Sequence, residues 1–167
     1  MLLKPLRIAI AATLATGFVG SAFAADASCT ALIKATVPDP KVPYRVTMTM
    51  LNDGKPQVSE SVNIDGFLYV RQGNAKTWSK IKMPDTKALV EESQSSLSGC
   101  TAGGTEQVGT TPTRVWTANS VDPYSKKTVN HKVWIGVADS RVYRQKIDDM
   151  DQLLSYTNVT VPAPLKP

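Results

Sequence analysis

Three β-rich runs joined by short polar links occupy residues 130–161, close to the C-terminus. The runs are Asn130–Val137, Arg141–Ile147 and Leu153–Val161. Links of this length suffice only for antiparallel neighbours, because a parallel crossover needs about a dozen residues or more. The region therefore predicts a β-meander, which places much of the C-terminal part of the chain in an antiparallel sheet.

The first half of the chain predicts a second meander, of four strands. Its first run, Tyr44–Met50, alternates strictly and is typical of a half-buried strand, with one face formed by Tyr44, Val46, Met48 and Met50. Further β-rich runs occupy 58–64, 67–71 and 78–81. Turn sequences separate the four runs, namely Asn52-Asp53-Gly54, Asp65-Gly66 and Gly73-Asn74.

Two helices are expected beside these strands. One covers Ser28–Val37, with Ser28 or Asp26 as its cap, and the other covers Pro84–Leu97, where Pro84 suits the first helical position. Residues 101–111 are rich in Gly and Thr and predict a loop with a short strand near Val108. A strand over Thr113–Ala118 follows.

Together, these elements predict one α+β domain over residues 25–167 that is mostly β. It has about nine antiparallel strands and two helices, and it ends in an extended tail over 162–167.

The N-terminus has the features of an export signal. Lys4 and Arg7 are followed by the apolar run Ile8–Phe18 and the small-x-small site Ala22-Phe23-Ala24. This predicts a signal peptide over 1–24, cleavage after Ala24, and a mature periplasmic chain without a transmembrane segment. The alternative is a retained N-terminal anchor, but the apolar run is short for a membrane span.

The chain has two cysteines, Cys29 and Cys100. An even count in an exported chain favours one disulfide between them. The spacing is not that of a redox Cys-x-x-Cys motif. Lipid attachment at Cys29 is not indicated either, since Asp26-Ala27-Ser28 lacks the aliphatic residue that this modification needs. The pair is therefore expected to be structural.

The charge does not indicate a nucleic-acid partner. The formal net charge is +5, of which Lys4 and Arg7 in the signal contribute two. No block of Lys or Arg is longer than Lys126-Lys127. A nucleic-acid interface would need a clustered basic patch.

No catalytic or metal site is indicated, and no cofactor is expected. His131 is the only histidine, no Gly-x-Ser-x-Gly motif supplies a nucleophile, and zinc would need three or four ligands. His131 is expected on a strand at a surface or sheet edge. The acidic residues Asp148, Asp149 and Asp151 are expected in a solvated turn, because the closing glutamate of a calcium loop is missing.

Large apolar side chains recur on the predicted strands: Met48, Met50, Trp78, Trp116, Trp134, Tyr143 and Tyr156. A β-rich core needs such residues, and composition alone favours this role. They can also line a lipid pocket, where methionine adapts to flexible chains.

The order of these parts resembles a known superfamily. The first meander contains Val62–Val70 followed by Trp78-Ser79-Lys80, and the second contains Val133–Val137 followed by Arg141–Arg144. This layout resembles the periplasmic lipoprotein carriers and receptors LolA and LolB, and the related mycobacterial LppX and LprG group. The resemblance implies a curved antiparallel half-barrel wrapped around helices, with an apolar cavity for acyl chains.

Two features depart from that superfamily. The chain lacks the lipid-attachment cysteine of the receptor branch, and the Cys29 and Cys100 pair is not associated with the carrier branch. The resemblance transfers no binding residue to a numbered position.

We therefore expect an exported, non-enzymatic periplasmic protein that binds a lipid or other amphiphile in an apolar half-barrel cavity. The expected cavity wall consists of Val46, Met48, Met50, Trp116 and Trp134. The alternative is an envelope protein-interaction or structural module with a packed core, no ligand and an envelope protein as its partner. The volume and lining of the largest internal cavity discriminate between the two.

Overall fold

The computed structural model describes residues 27–37, 39–83, 97–122 and 124–166. This part of the chain contains one helix and nine strands: α1 (Ala27–Thr36), β1 (Tyr44–Asn52), β2 (Lys55–Ile64), β3 (Phe67–Gln72), β4 (Ser79–Lys82), β5 (Ser98–Val108), β6 (Thr111–Val121), β7 (Thr128–Gly136), β8 (Val142–Ile147) and β9 (Met150–Ser155). The predicted nine-stranded antiparallel sheet is confirmed.

All nine strands form one open sheet in the order β4-β3-β2-β1-β9-β8-β7-β6-β5. The chain therefore makes two meanders, β1–β4 and β5–β9, and the pairing of β1 with β9 joins them. In that pairing Val46 lies opposite Leu154, and Met50 lies opposite Met150.

The tight turns follow from local sequence. Asp53 and Gly54 have φ angles of 51° and 72°, and Asp65 and Gly66 have φ angles of 54° and 75°. Two consecutive residues with positive φ form the hairpin turn whose twist matches that of the flanking strands, and Asp-Gly is a favoured pair for it. The two predicted hairpins are confirmed.

Residues 101–108 are strand, so the prediction of a loop there is wrong. β5 pairs with β6 from Ser98 to Val108, with register shifts between Ser98 and Thr101 and between Ala102 and Thr105. Gly99, with a φ of 61°, lies in the first irregular stretch, and Gly103 and Gly104 lie in the second. Bulges accept glycine readily, which is why a composition typical of loops is compatible with a long strand.

The last strand begins earlier than predicted, at Met150, and ends at Ser155. The chain then leaves the sheet. The backbone N–H of Trp78 donates to the carbonyl of Pro164 (3.0 Å), and the N–H of Lys166 donates to the carbonyl of Trp78 (2.8 Å). The extended C-terminal segment is thus attached beside β4, and Trp78 precedes that strand instead of beginning it.

The two faces of the sheet carry separate cores. On one face, here called the helix face, α1 packs Leu32 and Ile33 against Ala118, Val133 and Ile135 in the helix-side core. On the other, here called the tail face, the tail-side core consists of Val62, Tyr69 and Trp78, with Val159 of the tail packed against it. Both cores are small, so the described residues cover only part of each face.

The predicted disulfide between Cys29 and Cys100 is confirmed. Both cysteines are buried, and the bond ties α1 to β5 across a sequence separation of 71 residues. In the chain-entropy model, closing a loop of that size stabilises the fold by about 4 kcal/mol.

Several predictions fall wholly or partly outside the described residues. The signal peptide over 1–24, its cleavage site and the cap Asp26 lie there, and so do residues 84–96 of the second predicted helix. Ser28, the other predicted cap, is inside α1, which begins at Ala27. In the part of the chain that is described, no helix has the length and apolar character to cross a membrane.

Candidate functional site

A cavity of about 470 Å³ lies between the C-terminal half of α1, the linker that follows it and the helix face of β1, β8 and β9. We call it the α1 cavity. The hydroxyl of Thr36 donates to the carbonyl of Leu32 (3.1 Å) in the last turn of the helix. The linker then turns, with the N–H of Val42 donating to the carbonyl of Asp39 (3.0 Å), and delivers Tyr44 to the sheet. The cavity is the space that this path leaves above the sheet.

Part of its wall is aliphatic. Val37 and Val42 line it from the helix and linker, and Val46, Val142 and Leu154 line it from the sheet. Only Val142 of these five is buried, at 6 % exposure, and the others are partly exposed. A close-packed core would bury such side chains, so apolar surface is available here to a ligand.

Two glutamines add polar groups to the sheet wall. Gln145 and Gln152 lie directly opposite each other on β8 and β9 and both line the cavity. The Gln152 amide nitrogen lies 3.4 Å from the sulfur of Met150 and 3.8 Å from that of Met48. Thioether sulfur is a weak acceptor, so the amide retains capacity for a stronger partner.

Tyrosines close one end of the cavity. The ring centroids of Tyr44 and Tyr156 are 6.1 Å apart, and those of Tyr143 and Tyr156 are 5.4 Å apart. The Tyr156 hydroxyl donates to the carbonyl of Val142 (2.7 Å). Burial is the main cause that raises the pKa of Tyr156 far above its usual range, and the nearby Tyr44 adds to this effect. Burial also raises the pKa of Tyr44, although the Asn63 side chain acts to lower it. Both phenols therefore stay neutral at physiological pH.

The rim beside these tyrosines is fixed by Gly136. A Cβ at this position would meet the side chains of Asp139 and Tyr143, with a ring carbon of Tyr143 at 2.7 Å, so a larger residue here would force these side chains to move. Asp139 in that turn accepts a hydrogen bond from the Tyr143 hydroxyl (2.8 Å), and the Arg141 guanidinium lies 5.1 Å from the Tyr156 ring centroid. Burial and the contact with Asp139 raise the pKa of Tyr143. This part of the rim is well ordered by its own contacts.

A second cavity, of about 600 Å³, adjoins the first; we call it the Trp116 cavity. Its floor includes Trp116 and Ile135, and Ala31 and Arg114 also line it. The two cavities share Lys34, Ala35 and Ser140. The C-terminal half of α1 thus has open space on either side.

The five residues predicted for the cavity wall are not brought together. Val46 lines the α1 cavity and Trp116 the neighbouring one. Met48 and Met50 line a third depression, of about 640 Å³, at the far end of β1 and β2. Whether any of them binds a ligand remains a prediction.

Trp134 lies on the tail face, away from the α1 and Trp116 cavities. Its indole nitrogen donates to Glu106 (2.6 Å), and the cationic groups of Lys132 and Arg144 lie 4.6 Å and 4.9 Å from its ring centroid. The alternation of polar and apolar residues along β7 could not predict which face Trp134 occupies, because Val133, Trp134 and Ile135 are all buried. A strand covered on both faces is a continuous apolar run.

Sequence reasoning also missed the partner of His131. The Nε2 atom lies 2.8 Å from the Ser120 hydroxyl, across the β6–β7 hairpin. β7 is an interior strand and His131 is half-buried, so the predicted surface or edge position is corrected. Burial lowers the pKa of His131, with Asp148 acting in the opposite direction.

The Ser120 and His131 pair does not have the geometry of a catalytic triad. Within the described residues, no hydrogen bond joins the second ring nitrogen of His131 to a carboxylate. Asp148 instead accepts the backbone N–H of Asn130 (3.2 Å). A triad needs an acid that orients the imidazole, so we interpret the contact as a structural hydrogen bond.

The prediction that Asp148, Asp149 and Asp151 form a solvated turn is corrected in part. Asp148 and Asp149 form the turn between β8 and β9, as expected. Asp151 lies on β9 and accepts two hydrogen bonds from the Arg144 guanidinium, one of them at 2.9 Å. Those bonds lower the pKa of Asp151.

Comparisons with known proteins give matches among solved structures only. No protein-family model matches the sequence, and no curated protein matches it. Among solved structures, LprF from Mycobacterium bovis has a TM-score of 0.49 and 14 % identity over 85 % of this chain and 97 % of its own. The Mycobacterium tuberculosis lipoprotein LppX has a TM-score of 0.43 and 17 % identity over 87 % of this chain and 100 % of its own.

MucB is a third similar structure, with a TM-score of 0.45 and 12 % identity over 81 % of this chain and 60 % of its own. LppX belongs to the group that the sequence layout resembles. All three TM-scores are below 0.5, so these matches carry no argument about the fold of this chain. At identities this low, the likeness says nothing of ligand or activity.

Proposed function

We propose that this protein is an exported, non-enzymatic periplasmic protein that binds a lipid or other amphiphile in the α1 cavity. The observation that carries the proposal is the cavity itself, about 470 Å³ of space between the helix and an aliphatic sheet wall. Small-molecule sites are typically about 300–1,000 Å³, mostly apolar, with a few placed polar groups. The α1 cavity is within this size range and combines an aliphatic part with polar and charged side chains.

The aliphatic wall suits a hydrocarbon chain. Each methylene moved from water to such a wall contributes about 0.8 kcal/mol. A chain of about eight methylenes would thus contribute about 6 kcal/mol before the cost of association is subtracted. Because association costs at least about 4 kcal/mol, polar contacts must add to this contribution to give a useful affinity.

The polar members of the lining favour an amphiphile over a pure hydrocarbon. The amides of Gln145 and Gln152 and the phenol of Tyr44 line the same space as the valines. A buried amide that gains no hydrogen bond costs roughly 1–3 kcal/mol. A ligand with hydroxyl, ester or amide groups would satisfy these side chains, whereas an alkane would leave them unpaired.

The test combines lipid analysis with a matched pair of variants. Protein purified from its native compartment is extracted with organic solvent, and the extract is analysed by mass spectrometry. We expect a stoichiometric amphiphile. Titration of lipid-free protein with a fluorescent alkyl probe then measures the affinity of the cavity.

Leu154→Trp places a large ring in the α1 cavity, and Leu153→Trp places the same ring on the opposite face of the same strand. We expect Leu154→Trp to weaken probe binding at least tenfold, because it fills the space, and Leu153→Trp to leave binding unchanged. Thermal unfolding verifies that both variants are folded. Absence of lipid together with equal probe binding by both variants would contradict the proposal.

One observation favours the alternative of a protein-interaction module. β5 is an edge strand of 11 residues, and most of its residues are exposed. Exposed edges are templates for strand addition by a partner. A protein that carries no lipid and yet captures an extended peptide along β5 would support this alternative.

A further inference from the structure

The Trp116 cavity has a charge pattern that the proposed function does not use. Two cationic residues, Lys34 and Arg114, line it, and within the described residues no acidic side chain does. The α1 cavity differs, since Asp39 and Asp139 both lie on its lining. The Trp116 cavity is therefore locally positive.

Lys34 and Arg114 also have no carboxylate partner in the described part of the chain. The acids in ion pairs there are Glu60, Glu106, Asp139 and Asp151, and their partners are Arg71, Lys132, Arg141 and Arg144. Each of these pairs lies within 4 Å, whereas neither Lys34 nor Arg114 takes part in one. Within the described residues, both charges therefore lack a carboxylate partner and can attract the anionic group of a ligand.

Each cation has an ordinary explanation when considered alone. Lys34 is in the last turn of α1, where a cation interacts favourably with the helix dipole. Arg114 is exposed on β6 and could be a solvated surface residue. Neither explanation accounts for the two residues lining the same space above the apolar floor of Trp116 and Ile135.

We propose that the Trp116 cavity binds the anionic group, a carboxylate or a phosphate, of the amphiphile whose apolar part occupies the α1 cavity. This inference rests on the proposed function. The two cavities meet at Lys34, Ala35 and Ser140, so one ligand can extend from the aliphatic wall to the two cations. The guanidinium fork of Arg114 suits a carboxylate or phosphate, and Lys34 adds a point charge.

The test compares two probes that have the same alkyl chain. Lauric acid is used at a pH where its carboxylate is ionised, and dodecanol is the neutral probe, both below their aggregation concentrations. We expect the wild-type protein to bind lauric acid about tenfold more tightly than dodecanol, with a preference that weakens at high salt. Arg114→Gln and Lys34→Gln should each reduce the preference, and the double variant should abolish it.

Arg45→Gln is the matched control, because Arg45 is an exposed arginine on the tail face of β1. We expect it to retain the full preference. Equal binding of both probes by the wild-type protein would overturn the anionic subsite and leave the proposed function standing. Failure of both probes to bind would overturn the two together.

Inorganic phosphate distinguishes the source of the anion. If the anionic group is the headgroup of the amphiphile, millimolar phosphate should displace neither probe. Tight binding of phosphate alone, lost in Arg114→Gln, would show a site for a free anion and overturn the assignment to the amphiphile.

Discussion

The helix face and the tail face of the sheet each carry a small apolar core, but among the described residues they are covered by different structures. Trp116 is on the helix face, and Trp78 and Trp134 are on the tail face. On the helix face, α1 packs over Val133 and Ile135, and open cavities of about 470 and 600 Å³ adjoin the helix. On the tail face, the extended C-terminal segment packs Val159 against Val62, Tyr69 and Trp78, which are 0 %, 3 % and 5 % exposed.

The shapes of the two covers explain this difference. An α-helix is a cylinder about 10–12 Å across and touches a sheet along one line, so it leaves a groove on each side unless large side chains fill it. An extended chain lies flat on a sheet. At Trp134, the long side chains of Lys132 and Arg144 cover the ring in the same flat way. Among the described residues, space for a ligand is therefore a consequence of covering a wide sheet with one narrow helix.

The largest effect should come from removing the disulfide that holds α1 on the sheet. Replacing Cys29 and Cys100 together with serine should lower the free energy of unfolding by about 4 kcal/mol. Alkyl-probe binding should also be lost, because the helix forms one wall of the cavity. Urea denaturation and probe titration measure the two effects. Unchanged probe binding would show that the cavity does not depend on a fixed helix.

Trp116 and Trp134 give the sharpest comparison of the two faces. Trp134 is 4 % exposed and fully packed, whereas Trp116 is partly exposed on a cavity floor. Trp134→Ala should destabilise the protein by about 3 kcal/mol. Trp116→Ala should cost only about 1 kcal/mol, since the removed ring already borders open space. Chemical denaturation compares the two variants, and equal costs would contradict the difference between the faces.

A smaller effect is expected from shortening the tail. A variant that ends at Val161 loses the backbone hydrogen bonds between Trp78 and the segment Pro164–Lys166. It should lose about 1–2 kcal/mol of stability, while alkyl-probe binding on the other face should not change. Lys166→Gln is the control, because it retains the backbone bond of Lys166. Weaker probe binding by the truncated protein would show that the faces are coupled.

The smallest effect concerns His131 on the helix face. Its pKa is lowered in the folded protein, mainly by burial. The folded state therefore binds fewer protons than the unfolded state as the pH falls below the usual histidine pKa of about 6.5. Stability should be complete above that pH and should decline as the solution becomes more acidic.

His131→Gln tests this pH dependence, because glutamine offers the Ser120 hydroxyl a hydrogen-bonding partner and does not titrate. Urea denaturation at several pH values should give a smaller acid-side loss for His131→Gln than for the wild-type protein. Identical profiles would exclude His131 as the cause.

Much of the strand pattern was predictable from short stretches of sequence. Tyr44–Met50 alternates, and β1 covers it. Asp65-Gly66 predicted a hairpin because the aspartate and glycine adopt positive φ, as observed. Two cysteines in a chain predicted to be exported permitted one pairing, and that pair is bonded.

The cavity lining was predictable only in small part. Val46 was expected there, but the opposing Leu154 comes from a strand about a hundred residues away in the chain. Tyr44 and Tyr156 meet through the same β1–β9 pairing. The side of β7 that carries Trp134 could not be assigned either, because a run that is buried on both faces has no polar face to reveal its orientation.

The sequence by itself determined the hairpins, the antiparallel class of the sheet, the first helix and the disulfide. The hairpins, the class of the sheet and the helix depend on residues that are neighbours in the sequence, and two cysteines allow only one disulfide pairing. Only the tertiary structure decided that the first and last strands pair, which face each tryptophan occupies, and where space remains beside α1. Those properties arise from contacts between distant segments, and local sequence carries no record of which distant segment will be the neighbour.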